Sequence, residues 1–146
     1  MRTIIAAIDF TPLTEQVLKR ASDLAKSFDA RLWLVHIAEP DPEFVGYEVG
    51  PQHVRDNRAE TLRAEHRQLQ TSARGLQDHG IWADALLVQG PLVRSLLEKA
   101  SDLQAELIVI GAHSHSRLFD RVVGSTWQDL IRQSTIPLLV VPELTE

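Results

Sequence analysis

Residues 107 to 127 read LIVIGAHSHSRLFDRVVGSTW. An apolar run ends at Gly111, two histidines and three serines lie beyond it, and Gly124 with Ser125 precedes a second helical pattern. The order is strand, glycine, polar loop, glycine and serine, helix. A glycine leaving a strand allows positive φ and close backbone approach, and amides at a helix N-terminus favour an anion. The same residues also fit a tight turn followed by a serine cap.

Working outward, four further apolar runs flank this one. They are TIIAAI (3 to 8), RLWLVHI (31 to 37), WADALLV (82 to 88) and PLLVVP (137 to 142), with ELIVIG (106 to 111) as the fourth of five in chain order. Several are continuous rather than alternating, the pattern of strands buried on both faces of a parallel sheet. Helical patterns lie between them. Leu13, Val17, Ala21, Leu24 and Phe28 recur at helical spacing, with Thr11 placed to cap and Pro12 to take the first helical position. Leu62, Leu69 and Leu76, with His66 and Ala73 between them, predict a helix over 52 to 79, stopped by Gly80. Leu92, Leu96, Ala100 and Leu103 follow Pro91, and a last helix starting near Ser125 presents Trp127, Leu130 and Ile131.

The order β-α-β-α-β-α-β-α-β predicts an α/β fold with a parallel sheet and helices on both faces. No composition shift divides the chain, so a single domain over 1–146 is expected. The one sizeable irregular segment outside the glycine loop is AEPDPEFVGYEVGP (38 to 51), of a length at which loops more often carry function.

Composition limits the function classes. A net charge of -5 argues against broad attraction to nucleic acid or anionic membranes. Cysteine is absent, which excludes disulfides, thiolate metal sites and cysteine nucleophiles. The opening MRTIIAAIDF holds too short an apolar run for a signal peptide, and no run approaches the roughly 18 residues of a membrane span. A cytoplasmic protein is the expectation.

In an open doubly wound sheet, ligands bind beyond the carboxyl ends of strands where strand order reverses. Asp9 ends the first strand and is placed either to cap the following turn or to hold ribose hydroxyls. The spacing G-x2-S-x9-G-S, from Gly111 through Ser114 to Gly124 and Ser125, resembles the G-x2-G-x9-G-[S/T] nucleotide loop of the universal stress protein family. The likeness extends to IIAAIDFTP, LVHI, VQGP and GSTWQDLIRQSTIPLLVVP, nearly the whole chain.

That resemblance implies an open, Rossmann-like, five-stranded parallel sheet of order 3-2-1-4-5, with Asp9 beside Gly111. It implies ATP, with Mg2+, as the ligand of nucleotide-binding members. Asp9 would then meet the ribose, backbone around Ile37 the adenine, and Gly111, Gly124 and Ser125 the phosphates, with His113 and Ser114 in the same loop. It also implies a homodimer paired along the last strand, 137 to 142, and a stress-response role through an unidentified protein partner. The departure is Ser114, which stands where the family has glycine. At positive φ a serine is strained and fills space near phosphate, whereas Ser114, Ser116, Arg117 and Arg121 add donors and charge.

His113 and His115 form an H-x-H pair without a neighbouring carboxylate, a weak metal signal, and no metal site is assigned. His36, inside a strand, reads as a packed residue with a hydrogen-bonded ring nitrogen. His53, His66 and His79 fall on a solvated helix or its ends. Trp33, Trp82 and Trp127 read as core or subunit-contact residues. No Ser-His-Asp set, catalytic carboxylate pair or GxxxxGK[ST] is present, so at most slow ATP hydrolysis is expected. The competing functions are a non-nucleotide-binding dimeric interaction module and an adenylate-forming enzyme. The latter lacks its usual SGGxDS, since DFTPLT stands there. A receiver domain is disfavoured because Asp9 is the only acid at the required places.

Overall fold

The computed structural model describes residues 1–39, 52–112 and 126–143. Its elements are β1 (Thr3–Ala7), α1 (Thr14–Phe28), β2 (Arg31–Ala38), α2 (Gln52–Asp78), β3 (Ala83–Gln89), α3 (Leu92–Asp102), β4 (Leu107–Ala112), α4 (Thr126–Gln133) and β5 (Leu138–Pro142). The strands form one parallel sheet of order β3-β2-β1-β4-β5, as the family resemblance implied.

Successive strand residues point to opposite faces, and both faces are covered. Ile4, Ala6, Leu32, Leu34 and Val109 pack with Val17, Ala21 and Ala25 of α1 and Leu69 and Ala73 of α2. Ile5, Val35, Ile37, Ile108 and Ile110 pack on the other side with Leu96 and Ala100 of α3 and Leu130 of α4. This double burial is why the strands read as continuous apolar runs. The chain steps from β1 to β2 to β3 in one direction with α1 and α2 on one face. It then returns past β1 to β4, and right-handed crossovers place α3 and α4 on the opposite face.

Helix ends depart from the sequence reading in three places. α1 begins at Thr14, with Leu13 at its N-cap and no side-chain cap bond, so Thr11 and Pro12 belong to a preceding turn. Phe28 is 49% exposed while Ala25 is 1% exposed. The chain leaves α1 through Asp29, whose φ is 52°, and Ala30 returns its N–H to the Ala25 carbonyl and occupies the core below the last turn. On α4, Leu130 is buried but Ile131 is 53% exposed, because a short helix presents a narrower stripe than its apolar residues suggest.

α2 matches the expected span closely, and Gly80 stops it at a φ of 83°. His79 lies at its end with Nδ1 2.8 Å from the Gly75 carbonyl. Trp33 is half-buried against the second core face, while Trp82 is exposed and meets Trp33 edge-on at 5.3 Å with Arg31 stacked over it. Of the segment 38 to 51, residues 40 to 51 lie outside the described residues, as do the side chains of His53 and Trp127. Among the described residues, no helix is long and apolar enough to cross a membrane.

Candidate functional site at the strand reversal

β1 pairs with β2 on one side and β4 on the other, and the helices that follow β1 and β4 pack on opposite faces. The gap between the carboxyl ends of these two strands is where this class of sheet accepts ligands. Gly111 sits in β4 at this gap. A Cβ built on it would lie 2.7 Å from Leu13 Cδ2, 3.1 Å from Leu13 Cγ and 3.3 Å from Val17 Cγ2. Its φ is not positive, unlike those of Gly80 and Gly90. The glycine is therefore required for the close approach of α1 to β4, which corrects the expectation of a left-handed turn. β4 continues to Ala112 rather than stopping there.

Asp9 organises the same corner from the other side. Its Oδ1 accepts from the Thr11 amide at 3.1 Å, the Thr11 hydroxyl at 2.7 Å and the Thr14 hydroxyl at 3.2 Å. The acid caps the turn leading into α1, one of the two roles its place in the sequence allowed, whereas the helix cap expected of Thr11 is absent. Thr11 instead donates to it. Because a carboxylate has about four acceptor sites, such capping is compatible with further donors from a ligand.

Ile37 is buried near the end of β2. Val35 gives its carbonyl to the Ile8 amide, so the odd-numbered residues of β2 turn their main-chain groups toward β1. β1 ends at Ala7, two register positions below Ile37. The N–H and C=O of Ile37 therefore face the β1 side of the sheet, beyond the last residue of β1.

The neighbouring His36 has a packed role, as the sequence indicated. Its Nδ1 donates to the Ile8 carbonyl at 2.6 Å, and its Nε2 stands 2.6 Å from Glu65 Oε2 on α2. A carbonyl can only accept, so Nδ1 is the donor there, and Nε2 is the ring nitrogen turned to the Glu65 carboxylate. The Phe10 ring packs on the imidazole at 4.7 Å, with Phe10 itself at a φ of 60°. This cluster holds Ile8 and Phe10, the residues on either side of Asp9. Sequence reading missed Glu65 and Phe10. Glu65 is one acid among many on a charged helix, and no local pattern distinguishes it.

Asp9, Ile37 and Gly111 are thus brought to one edge of the sheet. His113, Ser114, Gly124 and Ser125 lie outside the described residues, as does His115. Among the described residues, no group of three His, Cys, Asp or Glu side chains could hold a metal ion.

Comparison with known proteins places this geometry. The chain is 31% identical over 142 residues to universal stress protein A homolog 1 of Coxiella burnetii, covering 94% of each chain. Its fold matches the solved structure of hypothetical protein MJ0577, with a TM-score of 0.78 at 21% identity over 99% of this chain and 98% of that one. It also matches a universal stress protein solved in complex with cAMP, with a TM-score of 0.70 at 20% identity over 96% of each chain. The sequence profile of the universal stress protein family matches residues 1–142. With the family pattern spanning nearly the whole chain and the strand reversal falling where that pattern requires it, the chain belongs to the universal stress protein family.

Proposed function

We propose that this protein is a cytoplasmic stress-response regulator that binds an adenine nucleotide, of ATP type with Mg2+, at the strand reversal, and acts through conformation and partner contacts. The observation that carries the reading is the convergence of Asp9, the outward backbone of Ile37 and the close-packed Gly111 at one gap. Ile37 would read adenine through its main chain. The Asp9 carboxylate, already oriented by Thr11 and Thr14, would accept from ribose hydroxyls without reorganising. His113, Ser114, Gly124 and Ser125 would meet the phosphates and metal. A structural relative bound to cAMP supports an adenine ligand as the class. The working unit proposed is a homodimer paired along β5.

The test begins with small molecules released from purified, denatured protein and separated by anion exchange. Titration calorimetry of ATP and Mg2+ on the emptied protein accompanies it. Copurified adenine nucleotide, or saturable binding that Gly124→Asp abolishes and the exposed Arg63→Ala leaves intact, supports the reading. Absence of nucleotide together with no heat from ATP, AMP or cAMP overturns it in favour of a dimeric interaction module.

A further inference from the structure

We propose that the amino-terminal half of the β3 edge, at Ala83 and Ala85, is guarded against strand addition by two of the protein's own side chains, so that pairing between copies through this edge is disfavoured. A parallel sheet with two open edges is a hazard. Pairing the β3 edge of one copy with the β5 edge of the next is head-to-tail, and such heterologous contacts extend into open chains wherever the rotation between copies does not close a ring.

Hydrogen-bond parity shows which groups are at stake. The Leu32 amide donates to the Trp82 carbonyl and the Gly90 amide to the Ala38 carbonyl, so the even-numbered residues from 82 to 90 face β2. Ala83 and Ala85 therefore turn their main-chain groups outward. The Ala83 carbonyl accepts from Gln77 Nε2 at 2.6 Å, a side chain reaching across from the last turn of α2. The Ala85 amide donates to Asp84 Oδ1 at 2.8 Å. One outward acceptor and one outward donor are thus occupied by groups that mimic a neighbouring strand, and Asp84 adds a charge beside the edge. They stand next to Trp82, 45% exposed, whose apolar surface would favour association there.

The opposite edge is built differently. The Ile108 amide donates to the Pro137 carbonyl, so Leu138, Val140 and Pro142 turn outward. Among the described residues, no side chain hydrogen-bonds to the main chain of Leu138 or Val140. This asymmetry is independent of whether a nucleotide is bound.

The experiment uses the full chain with Gln77→Ala and Asp84→Ala combined, both at exposed positions. Sedimentation velocity over a concentration series is read beside thermal melts. The double variant is expected to show a weight-average mass more than about twofold above wild type at matched concentration, continuing to grow with concentration. Asp84→Asn, which keeps the acceptor and drops the charge, is expected to sediment as wild type. A folded double variant with wild-type mass overturns the proposal, as does an Asn variant that assembles as readily as the Ala variant. Should the double variant lose its melt, Gln77→Ala alone decides. It improves helix propensity at an exposed site, and growth in mass supports the guard while unchanged mass overturns it.

Discussion

Gly111 and Gly75 have the same side chain and opposite prospects. At Gly111 an added methyl group meets Leu13, which is 4% exposed and enclosed by the core between α1 and the sheet. Leu13 cannot swing away without opening that core, and overpacking of this kind costs about 1–3 kcal/mol. At Gly75, inside α2, nothing lies within 4 Å of the added carbon. Urea unfolding is expected to show Gly111→Ala destabilised by about that amount and Gly75→Ala stabilised by about 0.5–1 kcal/mol. Equal effects at the two positions would refute the packing account. Phe10 is constrained in another way. Its left-handed backbone is strained for a bulky residue, and its ring packs against His36.

Between elements, the contact of Glu65 with His36 joins α2 to β2 and, through the Ile8 carbonyl, to the exit of β1. The His36 side chain is 14% exposed and that of Glu65 22%, so water replaces a lost partner poorly. Glu65→Ala is expected to lower stability by about 1–3 kcal/mol, the range for leaving a largely buried polar group unmatched. Glu60→Ala, at an exposed site on the same helix, should stay within about 0.5 kcal/mol of wild type. Chemical denaturation measures both, and hydrogen exchange should localise the Glu65 effect to α2 and the end of β2. The surface pairs Lys19 with Asp23 and Arg94 with Glu98 are long and exposed, and carry little stability by comparison.

For the whole molecule, the proposed dimer is testable without disturbing the sheet. The Val140 amide faces away from β4, so Val140→Pro removes an outward donor while sparing the ladder within the chain. Sedimentation should show this variant as a folded monomer at concentrations where wild type is dimeric, and an unchanged dimer would move the interface elsewhere. Much of the architecture was legible in the sequence because burial on both faces is a local demand. It writes apolar runs such as LIVIG and TIIAAI directly, and helices between them show their own spacing. The strand order was available only through the family resemblance, since periodicity does not say which strands are neighbours. Asp9, Ile37 and Gly111 were identifiable as candidates from that same resemblance. Their physical roles depended on the fold: Gly111 is a glycine because of Leu13, and Asp9 rather than Thr11 caps the turn into α1. Sequence by itself determined the elements, the alternation of strand and helix and the residues at strand ends, since each follows from chain-local periodicity and composition. Tertiary structure alone decided that Glu65 meets His36 and that Gln77 reaches the Ala83 carbonyl on the β3 edge. Which main-chain groups face outward depends on the strand beside them, and that neighbour is set by the path of the whole chain.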